Sequence, residues 1–309
     1  MSETPEFVDS SATWNRLTER MGGQNWPGST LYVVATPIGN LGDLSVRAWQ
    51  TLARCDVIAA EDTRASRALL DAWGVTTPLI AAHRHNEAGA AETILARLAQ
   101  GERVGLISDA GAPAVSDPGA RVVRAVREAG YGVVAIPGAS AVITALMASG
   151  ATSDENPAFV FAGFTPPKAI ARQKWLQRWC AVSAPVVMFE SPHRLAAACK
   201  DLLQVCGPER QLTIARELTK RFEQVVTLPL GETAAWLAAD SHRSQGEFVL
   251  IVHQAIEPEG DEQIDASALA LLDALLETVS VRDAARVAAK VTGLARDTLY
   301  ALALERQNK

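Results

Sequence analysis

The stretch LYVVATPIGNLGDLSVRAWQTLARCDVIAAEDTRASRALLDAW, residues 31–73, sets the architecture. Residues 31–35 form a short apolar run that ends in the turn Thr36-Pro37-Ile38-Gly39-Asn40-Leu41-Gly42. Residues 44–52 then repeat apolar side chains at the helical period, 56–60 form a second apolar run, and 63–73 are again helical in pattern. Outward from this stretch the rhythm continues, with strands at 103–107 and 132–136 and helices at 88–99 and 120–129. Consecutive strand–helix–strand units predict a mostly parallel sheet covered on both faces.

A second patterned region follows a helix at 139–148. Residues 149–157, SGATSDENP, are dense in turn formers, and we place a domain boundary there. Strands are expected at 159–164, 186–190, 212–216, 225–228 and 248–253. The short connection between 212–216 and 225–228 predicts a mixed sheet. Residues 257–265 read as an acidic linker. The tail is amphipathic at 269–279, has a capping box at Ser280 and Asp283, and carries helices at 282–290 and 296–307 on either side of Thr292-Gly293. That is helix-turn-helix punctuation, and it reads equally as a small helical packing module. The expected plan is a mobile leader (1–29), two α/β domains (30–152 and 153–256), and a linker with a helix-turn-helix-like module (257–309).

A chain of 309 residues exceeds one ordinary domain of ~100–200 residues. Its formal charge of -6 excludes a protein coated in basic side chains. The charge is uneven, however: from Thr165 to Arg221 ten basic residues face four acidic ones, a local +6. This region suits an anionic partner, and a solvated helix face gives the same pattern. Trp175 and Trp179, spaced i, i+4 among those cations, suit either base stacking or core packing. Cys55, Cys180, Cys199 and Cys206 form no CxxC pair and read as reduced thiols, with Cys199 and Cys206 on one packed face, which points to the cytoplasm. No run approaches ~18 apolar residues, and Glu3, Glu6, Asp9 and Glu19 are unlike a signal peptide, so no membrane partner is expected.

Open parallel sheets bind ligands beyond the carboxyl ends of their strands. Three loops there combine glycine with proline: 36–42, SDAGAPAVSDPG at 108–119, and PGAS at 137–140. Tight turns alone use these residues, but three at one sheet edge point to a shared pocket. An acidic pair, Glu61-Asp62, follows the second strand, yet the G-x-G-x-x-G fingerprint and the P-loop are both missing. The loops therefore suit a nucleoside-like ligand without phosphates, held by backbone groups and a carboxylate such as Asp109. His83 and His85 lack a cysteine pair, His193 and His253 are isolated, and no metal site is expected.

TPIGNLGD, AEDTR, SDAGAP and RELTK, in that order, occur with FAGFTPPK (161–168), FESPHRL (189–195), ARELTKRFE (215–223) and GEFVLIV (246–252). The set closely resembles the ribosomal RNA small subunit methyltransferase I family, within the tetrapyrrole-methylase-like superfamily of S-adenosylmethionine-dependent methyltransferases. It covers nearly everything except the leader; Ala112 stands where the family often carries a bulkier residue. The resemblance implies two α/β domains with S-adenosylmethionine in the cleft between them, a homodimer, and 2'-O-methylation of a cytidine ribose in the decoding region of 16S rRNA within the 30S subunit. It implies a donor site made by Pro37, Ile38, Gly39 and Asn40, by Asp109, Ala110, Gly111 and Ala112, by Ala114 and Val115, and by Ser140 and Ala141. Phe164 and Arg216 contribute from the second domain.

A ribose hydroxyl is a weak acid, so a base or a cation must lie within hydrogen-bond reach of it. The candidates are Asp62 and Arg64 of AEDTR, Glu190, His193 and Arg194 of FESPHR, and Arg216, Glu217 and Lys220 of RELTK. Carboxylate beside arginine is also ordinary salt-bridge architecture. Two rival functions stand beside the leading one: C-methylation of an anionic tetrapyrrole, and a non-catalytic, donor-sensing RNA-binding protein.

Overall fold

Strand β1 (Thr30–Val34) alternates between two cores. Leu31 packs with Ile94 and Leu98 of α4 (Glu87–Ala99) and Val122 of α5 (Ala120–Glu128). Tyr32 and Val34 pack with Ala48 and Leu52 of α2 (Val46–Arg54) and Leu70 of α3 (Thr63–Ala72). The two-residue strand period sends successive side chains to opposite faces, and because both faces are apolar, helices cover both. β2 (Val57–Ala60), β3 (Leu79–Ala81), β4 (Arg103–Ile107) and β5 (Gly132–Ile136) complete a parallel sheet in the order β3-β2-β4-β1-β5. The structure, a computed structural model, describes residues 11–83, 87–255 and 266–307. The expected acidic linker, His85 and the first ten residues of the leader lie outside the described residues.

Helix α6 (Ala141–Ser149) stops at Gly150, whose left-handed φ of 63° reverses the chain inside the expected break. A second sheet follows, in the order β6-β7-β10-β8-β9. Its strands are β6 (Val160–Phe164), β7 (Val186–Glu190), β8 (Gln211–Arg216), β9 (Gln224–Pro229) and β10 (Phe248–Val252). β6 and β7 are parallel and the other pairs antiparallel, the mixed sheet that the short connection predicted. Val186, Met188, Ile214 and Leu250 face Leu176 of α7 (Ala169–Cys180) and Leu195 and Leu202 of α8 (Leu195–Cys206). Val187, Ala215, Val249 and Ile251 face Val142 and Ala145 of α6. A short α9 (Thr233–Ala238) lies between β9 and β10.

The two sheets share one compact unit, Met1–Ala255; Ile256–Lys309 is a second. In the second unit α10 (Ala266–Leu276), α11 (Val281–Thr292) and α12 (Arg296–Gln307) surround Leu272, Ala284, Ala288 and Leu299. Ser280 caps α11 by accepting from the Asp283 N–H at 3.2 Å, and its hydroxyl donates to the Asp283 carboxylate at 2.7 Å.

Order does not begin at Leu31. Helix α1 (Ser11–Gly22) places Trp14 with its ring centroid 5.7 Å from that of Trp49. The Tyr32 hydroxyl donates to the Pro27 carbonyl at 2.9 Å, and Arg103 Nε to the Trp26 carbonyl at 2.8 Å. One tryptophan ring and two backbone carbonyls supply this anchoring, which average polarity conceals. β3 is also additional: three residues at a sheet edge are too few to display a period. Trp175 and Trp179, edge-on at 6.2 Å, pack against the second-sheet core, the second of the two readings. Cys199 and Cys206 share that core, and all four cysteines are free.

Arg172 and Asp201 form an ion pair at 2.6 Å with side chains only 5% and 8% exposed. Removing one partner of a buried pair strands the other charge, which costs roughly 3–5 kcal/mol. Urea unfolding of Arg172→Ala should show a loss of that size, and Arg172→Met with Asp201→Leu should recover most of it. A double variant no more stable than the single one would refute this account.

Candidate active site

Loops from the carboxyl edge of the first sheet face one edge of the second sheet across a cavity of about 400 Å³, within the range of small-molecule sites. The first sheet supplies Ile38 after β1, Ala110, Gly111, Ala112, Val115 and Asp117 after β4, and Ser140, Ala141 and Val142 after β5. The second supplies Phe164, Phe189, Glu190, Ser191, Pro192, Leu218, Glu247, Phe248 and Val249. Strand register gathers that second wall: Phe248 pairs with both Glu190 and Arg216, and Phe164 with Phe189. Because β10 is antiparallel to β7 and β8, it starts where they end.

Thr36 and Gly111 exchange two backbone hydrogen bonds, 2.9 and 3.1 Å, and the Thr36 hydroxyl donates to the Ser108 carbonyl at 3.1 Å. These tie the β1 loop to the β4 loop. The latter holds Ala114 and Ser116 at φ 68° and 63°, and its end is fixed by the Gly119 N–H donating to Glu87 Oε1 at 2.6 Å. Ile38, Ala110, Gly111, Ala112, Val115, Ser140, Ala141, Phe164 and Glu190 are the sequence candidates that line the cavity.

The remaining candidates lie around the lining rather than in it. Pro37 is buried behind the loop. Gly39, at φ 156°, leaves no room for a side chain, since a Cβ would stand 2.5 Å from Lys220 Cγ. Asn40 caps a short 3-10 helix (Leu41–Asp43) by accepting from the Gly42 N–H at 3.0 Å. Asp109 is exposed and its Oδ1 accepts from the Asp62 N–H at 3.0 Å. Ala114 turns the loop without lining it.

The polar candidates are mostly engaged with one another. Asp62 is the N-cap of α3, accepting from the Arg64 N–H at 2.8 Å and the Ala65 N–H at 3.4 Å, and those two hydrogen bonds hold its carboxyl below the usual range. The Arg64 side chain is 95% exposed. Glu190, with a fully buried side chain, accepts from Arg194 Nη2 at 2.8 Å, from the Ser191 N–H at 2.7 Å and from the Thr165 hydroxyl. Arg194 also donates to Ser191 Oγ at 2.9 Å and the Thr165 carbonyl at 3.3 Å. Arg216 donates to the carbonyls of Gln245, at 2.6 Å, and Phe222, at 3.3 Å. Lys220 Nζ lies 2.8 Å from Glu217 Oε1 and 2.7 Å from Glu247 Oε2. Burial pulls the Lys220 pKa down, but the two carboxylates outweigh it and raise it above its ordinary 10.5. Burial likewise pushes Glu217 up, yet hydrogen bonds from Lys220 and the Glu247 N–H bring it below its ordinary 4.5. His193 is exposed.

Asp117, Val142, Phe189, Ser191, Pro192, Leu218, Glu247, Phe248 and Val249 line the cavity without having been singled out. Glu247 lies inside the GEFVLIV block, and Leu218 inside RELTK, so the signal was present as motif and lacked only the strand direction.

Residues 30–234 match the model of the Tetrapyrrole (Corrin/Porphyrin) Methylases, and residues 262–307 match that of the RsmI C-terminal HTH domain. Proteins named ribosomal RNA small subunit methyltransferase I are 46% identical in Pseudomonas aeruginosa, over 91% of this chain and 98% of that protein, and 44% identical in Escherichia coli O157:H7, over 90% and 95%. The chain belongs to the ribosomal RNA small subunit methyltransferase I family, within the tetrapyrrole methylases. Solved structures share the fold. The cobalt precorrin-4 methyltransferase CbiF has a TM-score of 0.54 at 14% identity, over 72% of this chain and 95% of that one. Uroporphyrin-III C-methyltransferase from Thermus thermophilus, complexed with S-adenosyl homocysteine, has a TM-score of 0.50 at 17% identity, over 72% and 96%. Of the four methyltransferase I motifs, TPIGNLGD, SDAGAP and RELTK each place a residue in the cavity lining; AEDTR lies outside it and touches the SDAGAP loop through the Asp62–Asp109 hydrogen bond.

Two outcomes follow from this geometry. Gly39→Ala should weaken adenosyl-ligand binding roughly tenfold or more, a loss of at least about 1.4 kcal/mol, and Lys220→Ala in the same chain should restore part of it, measured by calorimetry. Asp62→Ala should cost about 1 kcal/mol of stability through the lost cap, whereas Asp62→Asn should keep it; equal thermal midpoints for both would remove the capping role.

Proposed function

We propose that this protein transfers a methyl group from S-adenosylmethionine to the 2'-hydroxyl of a cytidine ribose in the decoding region of 16S rRNA, acting on the small ribosomal subunit. The observation that carries the reading is the cavity itself. Backbone and small apolar residues of three converging loops line it, with no phosphate cradle, and Asp117, Glu190 and Glu247 stand in its wall. Such a site suits an adenosyl ligand without phosphates: the loops offer backbone and small apolar surface, and of the carboxylates in the wall Glu190 and Glu247 are paired with Arg194 and Lys220. The donor supplies a methyl carbon activated by positive sulfur. The free N–H groups at the start of α6, at Ala141 and Val142, suit the donor's carboxylate.

As the methyl–oxygen bond forms and the methyl–sulfur bond breaks, the hydroxyl proton passes to solvent water; the chain's own part is alignment, worth up to ~7–11 kcal/mol when the reacting groups are held in line, and stabilisation of the oxygen as it loses that proton. Lys220 is protonated at neutral pH because its pKa is raised, so it serves as a cation near the developing alkoxide and not as the base. Its pairing is present below the ordinary 10.5 and is lost only as pH rises through the raised value. The Glu217 contribution is present above its ordinary 4.5 and lost as pH falls through the lowered one. The pair is therefore intact across neutral pH. Arg216 holds the adjoining loop by its two carbonyl contacts.

We further take the protein to act as a homodimer in the cytoplasm. Exposed Ile143, Met147 and Ile170 support self-association, and four free cysteines support a reducing compartment. No described helix is long and apolar enough to cross a membrane.

Calorimetry with S-adenosylhomocysteine, followed by labelled methyl transfer to 30S subunits and mass spectrometry of nuclease digests, tests the reading. Binding and a methylated cytidine ribose are expected. Lys220→Ala should lower the transfer rate by about a hundredfold while donor binding persists, and Arg216→Ala should also lose transfer. Methylation of uroporphyrinogen or a precorrin in place of 30S subunits, or no heat with S-adenosylhomocysteine, would overturn it.

A further inference from the structure

Between β8 and β9 the chain runs Glu217-Leu218-Thr219-Lys220-Arg221-Phe222-Glu223, and its side chains part in two directions. Leu218 is buried and lines the donor cavity, and Lys220 lies across Gly39. Phe222, by contrast, is 66% exposed, with the Arg221 guanidinium 5.5 Å from its ring centroid.

The loop that presents this ring is fixed. Arg216 holds the Phe222 carbonyl at 3.3 Å, the Glu223 N–H donates to the Lys220 carbonyl at 3.1 Å, and the Glu223 carboxylate accepts from the Thr219 N–H. Glu217 and Thr219 have φ of 51° and 65°, a conformation unfavourable for residues with a Cβ. These two left-handed residues turn Leu218 inward and leave Phe222 in solvent. Arg194 and Lys220 are bound in ion pairs, whereas Arg221 is exposed and forms no ion pair among the described residues.

We propose that Phe222 and Arg221 form a stacking site for an unpaired RNA base next to the nucleotide being methylated. The proposal rests on the rRNA reading and deepens it. A ring offers any base a π-face, and a guanidinium beside it adds attraction to base and phosphate alike. Leu218 and Phe222 are four residues apart, at most about 14 Å of extended chain, so the ring stands within a nucleotide or two of a ribose presented to the cavity. A protein partner is less suited, because a stable interface needs several hundred Å² on each side and a single ring at a loop tip offers far less.

The test compares wild type, Phe222→Ala and Phe222→Trp by S-adenosylhomocysteine calorimetry, by single-turnover methylation against 30S concentration, and by sedimentation. Phe222→Ala should raise the 30S concentration for half-maximal rate roughly five- to a hundredfold, with donor affinity and the saturated rate unchanged. Phe222→Trp should restore it, and fluorescence in excess of wild type should be quenched by 30S subunits and by an unpaired RNA oligonucleotide. Wild-type half-saturation in Phe222→Ala, or a change of oligomeric state in that variant, would overturn the stacking site; the latter would assign the ring to a second copy of the chain. If wild-type protein leaves 30S subunits unmethylated, the rRNA reading fails, and quenching of the Phe222→Trp signal by the oligonucleotide still decides the stacking site, for it if present and against it if absent.

Discussion

Helix α6 belongs to the first half of the chain by sequence and to the second sheet by packing. Its segment AVITALMAS has no charged side chain, and its buried face, Val142 and Ala145, lies against Val187, Val249 and Ile251. A helix with that composition must bury at least one face, and the second sheet is where it does so. The consequence reaches the site, because α6 starts at Ser140-Ala141, directly after the β5 turn. Packing the helix on the second sheet therefore sets the carboxyl edge of the first sheet opposite Phe164, Glu190 and Phe248. The glycine–proline loops would exist without this contact, but they would face solvent instead of a wall.

Charge follows a similar logic. A local excess of cations reads in the sequence as a surface waiting for a polyanion, yet much of it is internal scaffolding. Arg172 is buried with Asp201, Arg194 clamps Glu190, Lys220 bridges Glu217 and Glu247, and Arg216 holds two carbonyls. Lys168, Lys174, Arg178, Lys200 and Arg221 remain exposed. Much of this local excess is thus unavailable to a polyanion, which weakens the nonspecific attraction that neutralised phosphates would supply there.

Strands whose ends are punctuated by glycine and proline were legible in the sequence: 103–107, 132–136 and 186–190 coincide with β4, β5 and β7. So were the caps of α11 and the mixed second sheet, because each rests on a local rule. What escaped was non-local. The Trp14–Trp49 contact orders α1, and no periodicity announces it. Glu247 reaches the cavity because β10 runs antiparallel to its neighbours, so that its amino end meets their carboxyl ends; a search limited to carboxyl ends passes over it. In AEDTR the sequence shows an acid beside a base, and only the structure shows that Asp62 also caps a helix.

The two loops that border the cavity hold four of the five described non-glycine residues with positive φ: Ala114, Ser116, Glu217 and Thr219. Each costs about 1–2 kcal/mol, and strain of this kind persists only where surrounding contacts over-determine the backbone. Here they do, through Thr36–Gly111, Glu87–Gly119 and Lys220–Glu217–Glu247. A reaction in which a strong base did most of the work would tolerate looser loops. Hydrogen bonds hold the carboxyls of Asp62 and Glu217 below their ordinary range, which makes both weaker bases, and Glu190 is bound by Arg194. With these carboxylates so committed, more of the rate falls to alignment of the methyl donor with its acceptor, and a strained pair of loops held by these contacts suits that requirement.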